Sequence, residues 1–346
     1  MESIKNCIQG KFYVSVKYCN ANGDPDLDNM PRTDSETGQG IITDVAVKRR
    51  IRDYVLQKFD GVPGMGVIIR DASNINIDIR KIADAVDAEM PSEDEDDSKK
   101  KKGKKAASTE DRQKRACKDF WDIRTFGAVL STGANAGQVK GAVQFDMGVS
   151  IDPVNVQDSG ITRVCRAEGN KTDTVEKLQA DWDKKEYSEK HTMGRKKYVE
   201  FGLYEICFSV SACLAEKVGF SDKDFNALLE GILMMYEGAG RTSSKSGMRV
   251  VTPIILFKHV GLDTMDPTER ANAVKLGCAS MYDCLDTVRI TRKADVPVAR
   301  SHEDYDAIFY KDKLPKGVQI GFKYGVYEDI VWDIPRADGW IQVRKI

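Results

Sequence analysis

Three features of the sequence predict an α+β fold. Apolar and polar residues alternate in several segments, as in Lys11–Tyr18, and such alternation is typical of strands. Two segments with apolar residues every three to four positions follow Thr43 and Ser221, residue types that cap helix N-termini. The elements occur in the order strand, helix, strand, strand, helix, strand once two long polar insertions are set aside. The chain of 346 residues is long enough for one large domain or two ordinary ones.

The first strand and the first helix are joined by a loop rich in Asp, Gly and Pro. The strand, Lys11–Tyr18, is expected to bury one face. The helix is expected to begin after Thr43 and to end near residues 61–64, where Gly-Val-Pro-Gly stops it. Asp44 favours the positive end of the helix dipole. The apolar stripe of this helix is Val47, Ile51, Tyr54 and Val55.

Two polar segments predict insertions into the fold. Residues 82–116 contain a run of acids, Glu93–Asp97, followed by a run rich in lysine, Lys99–Lys105. Such a composition cannot bury enough apolar surface to offset its ordering entropy, which predicts a flexible charged insertion. Residues 153–197 form a second polar insertion, whose compact hydrophobic piece is Ile161–Arg166.

The remaining elements complete the predicted order. Strands are expected at Lys140–Ile151, at 197–212 and at Val250–His259, and the second helix runs from Ser221 to about Glu237. This is the order of the ferredoxin-like, RRM-type sandwich. We therefore expect a single domain with an RRM-like core formed by residues 10–80, 117–152 and 197–260. Residues 261–346 contain Trp, Tyr and Pro and are expected to pack against it.

The composition excludes several classes of protein. No apolar run approaches the 18 residues of a membrane span, and the N-terminus does not resemble a signal peptide. The eight cysteines form no C-x-x-C pair, so we expect reduced thiols in a cytoplasmic protein. The formal net charge of −1 argues against a uniformly basic nucleic-acid binder. Local basic clusters still bind phosphate, because salt screens charges beyond about 10 Å.

Three common enzyme motifs are absent from the sequence. The three histidines are isolated, and neither H-E-x-x-H nor G-x-S-x-G occurs. Gly238–Gly247 lacks the Gly-Lys-Ser/Thr ending of a Walker A loop. The acidic residues of the first loop leave two alternatives open, a Mg²⁺ site or a solvated loop with turn chemistry. These residues are Asp24, Asp26, Asp28 and Asp34.

The first helix carries a candidate phosphate site. Lys48 and Arg52 are spaced i, i+4 and therefore share one helix face. Thr43 and the first-turn N–H groups lie one turn below them. A helix N-terminus beside two cations is suited to hold phosphate, which we favour over an ordinary solvated face.

The motifs of this chain resemble a known family. The first is N-x-N-G-D-P-D…R-x-D-x-E-T-G-x-G-I-I-T-D-V-x-x-K-R-x-I-R at Asn20–Arg52. Further ones are DIRTFGAVL at Asp122–Leu130, GQVKGAVQF at Gly137–Phe145, SGITR at Ser159–Arg163, RKKYVEFGLY at Arg195–Tyr204, and GFSDKDFNALLEGILMMYE. Together they resemble the repeated, RAMP-like backbone subunit of the type I-C CRISPR surveillance complex, Cascade, over most of residues 10–260.

The resemblance implies a hand-shaped, RNA-binding protein. Its RRM-like palm would bind the CRISPR guide RNA, and copies would line up head to tail, with a thumb hairpin at 153–197 folding over the RNA. Partners would be the guide-processing subunit, the large subunit of the complex and, through the guide, target DNA. No cofactor and no catalysis are implied. The rival interpretation is a metal-dependent ribonuclease of the related type III kind that uses a loop residue such as Asp34.

The resemblance also implies a set of site residues. Ile161 and Val164 are expected to wedge beside a flipped base. The expected RNA contacts are polar or basic: Thr43, Lys48, Arg49, Arg52, Arg124, Gln138, Lys140, Arg163, Arg166, Arg241, Ser243, Ser244 and Lys245.

Overall fold

The computed structural model describes residues 2–89 and 107–344 and has an α+β fold. Its strands are β1 (Ile8–Cys19), β2 (Gly23–Asp24), β3 (Met30–Pro31), β4 (Gln39–Ile42), β5 (Gly127–Leu130), β6 (Gly137–Lys140), β7 (Val143–Phe145), β8 (Gly148–Pro153), β9 (Val156–Arg163), β10 (Thr192–Val210), β11 (Met248–His259), β12 (Val288–Arg292), β13 (Tyr305–Tyr310), β14 (Val318–Lys323), β15 (Val331–Trp332) and β16 (Ile341–Arg344).

Helices are distributed along the whole described chain. They are α1 (Asp44–Lys58), α2 (Ile75–Glu89), α3 (Thr109–Asp119), α4 (Trp121–Phe126), α5 (Val175–Asp183), α6 (Ala212–Val218), α7 (Asp222–Met234), α8 (Pro267–Leu276) and α9 (Met281–Leu285). Within the described ranges, none of these helices has both the length and the apolar character that crossing a bilayer requires.

One large sheet organises the molecule. Its strands follow the order β15-β14-β11-β1-β10-β8-β4, and every neighbouring pair along this path is antiparallel. Strand β10 is 19 residues long and also pairs with β7 and β9 at its two ends. The predicted α+β class is therefore confirmed, with a large antiparallel sheet at its centre.

Helices α1 and α7 cover one face of this sheet. Both begin at capping residues, because Thr43 accepts a hydrogen bond from the Ala46 N–H and Ser221 forms a capping box with Asp224. Their apolar stripes join the inward residues of β1 in one continuous core, which includes Phe12, Val14, Ile51, Val55, Leu228 and Ile232.

The other face of β1 is also buried, contrary to the single buried face expected from its alternation. The C-terminal part, with the small sheet β12-β13-β16, packs against this face. Lys11 lies at this interface with 3% of its surface exposed. Its ammonium group contacts the Glu205 carboxylate at 3.1 Å and donates to the carbonyls of Leu285 and Val288 at 2.8 and 2.7 Å. The alternation pattern did not reveal this face, because a lysine such as Lys11 is counted as an exposed polar residue even where its partners allow it to be buried.

The predicted strand at Lys140–Ile151 is wrong in its continuity. Lys140 ends β6, which pairs with β5 in a separate two-stranded sheet, whereas β7 and β8 join the large sheet. Gly141 lies at the break, where a Cβ atom would overlap the backbone of Gly127. The strand therefore ends at Gly141, where two backbone segments approach closely, although the alternation of apolar residues continues beyond it.

The flexible insertion predicted at 82–116 is wrong at both of its ends. Residues 82–89 belong to α2 and residues 109–116 belong to α3, and Ile82 and Ala116 share a small core under these helices. Their apolar residues are spaced for a buried stripe, and the neighbouring charge runs obscured that spacing. The charge runs themselves, Glu93–Asp97 and Lys99–Lys105, lie outside the described residues.

Candidate nucleic-acid interface

The start of α1 is tied to the acidic loop that precedes it. Asn22 Oδ1 accepts hydrogen bonds from both the N–H and the hydroxyl of Thr43, at 2.8 and 2.9 Å. The Thr43 oxygen in turn caps the Ala46 N–H at 3.4 Å. The Asn-x-Asn-Gly motif therefore fixes the helix N-terminus against the loop, and the Thr43 side chain is already engaged on both sides.

Arg52 does not face solvent, so the predicted phosphate contact at this residue is wrong. Its guanidinium packs on the Phe126 ring at 4.8 Å, and Nε donates to Asp122 Oδ2 at 3.0 Å. The Asp122 carboxylate also accepts the N–H groups of Ile68 and Ile69, at 2.9 and 3.2 Å. Burial raises the pKa of Asp122, and the charge of Arg52 opposes that rise. The i, i+4 spacing correctly placed Lys48 and Arg52 on adjacent turns, but the packing of α4 buries the second of them.

Lys48 and Arg49 follow on the same helix, and of the two only Arg49 is exposed. Lys48 pairs with Asp44 at 3.0 Å and is partly buried. Arg49 is more exposed and lies 2.8 Å from Asp53 and 3.4 Å from Asp71. Both cations therefore carry carboxylate partners that a phosphate would have to displace.

Arg124 is a second predicted contact that the structure turns inward. Its guanidinium binds the Asp224 carboxylate through two nitrogens, at 2.6 and 3.1 Å, and donates to the carbonyls of Cys117 and Gly64 at 2.6 and 2.8 Å. Asp224 is also the capping-box residue of α7. The ion pair between Arg124 of the DIRTF motif and Asp224 of the FSDKDF motif therefore joins α4 to α7 inside the fold. The predicted RNA contact at Arg124 is wrong, because the side chain is buried in this pair.

Loop 238–247 is anchored against the end of β1 by its lysine. The Lys245 ammonium donates to the carbonyls of Asn20 and Ala21, each at 2.7 Å. Burial lowers the pKa of Lys245 to about 8, with a further contribution from the charge of Arg50. Lys245 therefore holds the loop to the chain beyond β1 and is not free to bind phosphate, so the predicted RNA contact at this residue is wrong. A solvated lysine and a buried one are identical in the sequence.

The other predicted residues of this loop remain at the surface. Arg241, Ser243 and Ser244 are exposed. The Ser244 carbonyl accepts the Asn20 N–H at 3.1 Å, so the loop follows the chain just beyond β1. Through Asn20, Asn22 and Thr43, the structure brings this loop, the acidic loop and the α1 N-terminus together.

Gln138 and Lys140 lie on a separate element. Both are exposed on β6, which packs beside α3, and the Gln138 carbonyl accepts the Gln113 side-chain N–H at 3.2 Å. These residues are accessible, but no hydrogen bond joins them to the cluster around Thr43 in the described part of the chain.

The insertion at 153–197 contains a long hairpin. Strand β9 pairs with the first half of β10 from Val156↔Val199 to Arg163↔Thr192. Ile161 and Val164 are 49% and 81% exposed at its far part, an unusual setting for β-branched apolar residues. Arg163 is exposed, and Arg166 contacts Glu168 at 3.3 Å and donates to the Glu189 carbonyl at 3.2 Å.

Asp34 and its neighbours are occupied by local bonds. The Asp34 carboxylate accepts the N–H groups of Glu36 and Thr37, at 2.9 and 2.8 Å, and these bonds lower its pKa. Asp24 pairs with Arg32 at 3.0 Å, and Asp28 pairs with Lys197. Over residues 2–89 and 107–344, no group of three or more His, Cys, Asp or Glu side chains is arranged to hold a metal ion.

Three exposed cations near the root of the hairpin were not predicted. Lys17 lies near the end of β1, Lys196 lies on β10, and Arg249 lies near the start of β11, where it contacts the His302 ring at 3.1 Å. Across the two described ranges, neither Lys17 nor Lys196 has a carboxylate within ion-pair distance. The basic run Arg195–Lys197 could have indicated a phosphate contact at Lys196, but its three residues serve above only as part of the RKKYVEFGLY motif.

Comparisons with known proteins give the chain its family. The family described as CRISPR-associated protein Cas7 matches residues 6–310. A protein named CRISPR-associated protein Cas7, from Haloferax volcanii, is 54% identical over 44 residues, a stretch that spans 13% of each chain.

Two solved structures are also similar. A chain of a "CRISPR RNA-guided surveillance complex, pre-nicking" is 15% identical with a TM-score of 0.44, over 79% of this chain and 83% of that one. A chain of a "CRISPR RNA-guided surveillance complex" is 13% identical with a TM-score of 0.40, over 79% and 76%. Because the family match spans nearly the whole chain, this protein belongs to the Cas7 family of CRISPR-associated proteins.

Proposed function

We propose that this protein is a guide-RNA-binding backbone subunit of a type I-C CRISPR surveillance complex. Copies of it would stack head to tail along the guide and present it for pairing with target DNA. The observation that carries the proposal is the β9–β10 hairpin, which combines exposed Ile161 and Val164 with an exposed, basic strand pair. Membership of the Cas7 family supports the same role.

The palm of the proposed hand is RRM-like. Its four strands would be β1, β8, β10 and β11, and their order in the sheet, β11-β1-β10-β8, is the 4-1-3-2 order of a ferredoxin-like sandwich. Helices α1 and α7 on one face supply the two crossovers. We propose a palm at 10–80, 117–152 and 197–260, a thumb at 153–197, and a C-terminal part, 261–346, that completes the palm.

The proposed contacts hold RNA by its backbone. A subunit that serves any guide cannot read bases, so base pairing must read the target while the protein binds phosphate and shape. Exposed cations suited to this lie on the hairpin, on loop 238–247, at the end of β1 and on β6: Arg163, Arg166, Lys196, Arg241, Lys17 and Lys140. Because the net charge is −1, these local clusters supply the attraction.

Binding to RNA can be tested by removing two cations that have no ion-pair partner in the described ranges. Arg163 and Lys196 lie on the two strands of the hairpin and are both exposed. Changing both to Ala should weaken binding to single-stranded RNA of any sequence and reduce the salt slope by about 1.4, or about 0.7 per phosphate contact. Fluorescence anisotropy titrations at several salt concentrations measure both quantities.

A matched control removes two other exposed lysines. Lys217 and Lys223 lie on α6 and α7, beyond the end of β10 opposite to the hairpin. Changing both to Ala also removes two positive charges but should leave affinity and salt slope close to those of the unaltered protein. Equal losses in both double variants would show that binding depends on net charge alone, and the hairpin would lose its assigned role.

We propose that this subunit is not a nuclease, and that other subunits cleave the target and process the guide. Supporting this, the Asp34 carboxylate closes a turn by accepting two backbone N–H groups. Assembled complexes incubated with complementary RNA and Mg²⁺ should leave that RNA intact. Regularly spaced cuts that disappear in Asp34→Ala would instead establish the ribonuclease. The proposed site of action is the cytoplasm, with the guide-processing subunit and the large subunit as further partners.

A further inference from the structure

Tyr18 has an unusual backbone conformation at the end of β1. Its φ angle is +50°, in the left-handed region that bulky residues rarely adopt. Both neighbours are fixed, because the Lys17 N–H donates to the Gly247 carbonyl at 2.9 Å and Cys19 is buried and paired with Val199 on β10. The surrounding structure thus holds Tyr18 in a strained geometry, and such strain is common at binding sites.

The strain exposes an aromatic ring rather than burying it. Tyr18 is 54% exposed, and its ring meets the edge of Tyr198 at a centroid distance of 6.2 Å and an angle of 63°. Tyr198 is itself held in place, since its hydroxyl lies 3.3 Å from Ser159 Oγ across the hairpin. The Tyr18 ring therefore stands on a fixed support at the root of the hairpin and remains open to solvent.

Positive charge surrounds this ring. Lys17 is adjacent in sequence and exposed, and Lys196 is exposed two residues before Tyr198. Burial raises the pKa of the Cys19 thiol, whereas hydrogen bonds of Gly247 and Lys17 and the charges of Lys245 and Lys196 oppose that rise. Lys196 lies three residues before Val199, the β10 residue that pairs with Cys19 at the end of β1. The strand carboxylates of this region have cationic partners, since Glu200 is paired with Arg300 at 2.9 Å and Asp158 with Arg195 at 3.2 Å. The hydrogen bond from the Arg300 N–H lowers the pKa of Asp304, and the charge of Lys17 contributes to the same shift.

We propose that Tyr18 is a stacking platform for one unpaired base of the bound single-stranded RNA, with Lys17 and Lys196 holding the flanking phosphates. This role rests on the proposed function and adds a contact to the bases. Aromatic stacking accepts every base because each has a π-face, so it suits a protein that must hold any guide. The platform is distinct from Ile161, because Ile161 pairs with Gly194, which precedes Tyr198 by four residues on β10 and lies about 13 Å from it at 3.3 Å per residue.

The experiment compares side chains at position 18 in the full chain. Tyr18→Phe keeps the ring, Tyr18→Leu keeps an apolar side chain without it, and Tyr18→Gly also relieves the backbone strain. The probes are two single-stranded RNAs of equal length, one with all its bases and one abasic. Tyr327→Leu is the matched control, because Tyr327 is 96% exposed on the C-terminal part.

The predicted result separates stacking from phosphate binding. Tyr18→Leu and Tyr18→Gly should bind the base-bearing RNA about 5- to 150-fold more weakly and the abasic RNA with unchanged affinity. Tyr18→Phe and Tyr327→Leu should match the unaltered protein, and Tyr18→Gly should melt no lower than Tyr18→Leu. If Tyr18→Leu binds both RNAs as tightly as the unaltered protein, or loses both equally, the platform is refuted while RNA binding stands. Failure of the unaltered protein to bind either RNA refutes the proposed function and the platform together.

Discussion

Removing Arg52 tests whether this residue stabilises the fold or contacts RNA. The guanidinium is buried against Phe126 and its Nε donates to Asp122 at 3.0 Å. In Arg52→Ala, the Asp122 carboxylate would remain buried with only the two N–H donors of Ile68 and Ile69. Leaving one charge of a buried pair without its partner costs about 3 to 5 kcal/mol of unfolding free energy.

That cost translates into a measurable melting shift. Unfolding entropy is about 2.1 cal/mol/K per residue, so 346 residues give about 0.7 kcal/mol/K and each kcal/mol lowers the Tm by about 1.4 °C. Arg52→Ala should therefore melt about 4 to 7 °C below the unaltered protein. Arg49→Ala, on the same helix but with exposed partners, should cost about 0.2 to 1 kcal/mol and shift the Tm by about 1.5 °C or less.

Differential scanning calorimetry gives the stability of both variants, and RNA titrations well below the Tm give their salt slopes. The salt slope of Arg52→Ala should equal that of the unaltered protein, because the residue reaches no phosphate. A Tm loss no larger than that of Arg49→Ala, together with a reduced salt slope, would refute the structural role and return Arg52 to the RNA contacts.

Two further perturbations test the region around β1. Gly247→Ala would place a methyl group against the Lys17 carbonyl oxygen and should cost about 1 to 3 kcal/mol, whereas Gly160→Ala, with open space around it, should be nearly neutral in the same urea titration. Lys245 has a pKa of about 8 in the fold, below its ordinary 10.5, so the unfolded chain binds more protons between these values and stability rises with pH. The neutral amine keeps two N–H donors for Asn20 and Ala21, so the unaltered protein should gain about 2 kcal/mol over Lys245→Met between pH 7 and 9.5. A constant difference across this range would contradict the assigned burial.

The order of the main elements could be predicted from local patterns. Capping residues and apolar spacing located α1 and α7 within a few residues, since Thr43 and Ser221 act on the turns that follow them. Alternation located β1, and the apolar segment at 250–259 located most of β11, because both signals are also local. By contrast, the second buried face of β1 depends on Lys11 meeting Glu205 and the C-terminal part, which no local pattern encodes.

The candidate site was harder to predict, because the sequence shows which side chains are charged but not which of them the fold buries. Helix spacing predicts an RNA contact at Arg52 and the family resemblance implies contacts at Arg124 and Lys245, yet each finds buried acceptors far along the chain. Tyr18 was missed for the opposite reason, because its strained φ arises only when Gly247 and Val199 fix its neighbours.

The length of the RNA that accompanies the protein tests the central claim most directly. The full chain is expressed together with a CRISPR array and its guide-processing subunit, purified at moderate salt, and its RNA is extracted and sized by denaturing electrophoresis and sequencing. The proposed function predicts a single length whose sequence is one spacer with flanking repeat. RNA of many unrelated lengths and sequences, or protein free of RNA, would contradict it.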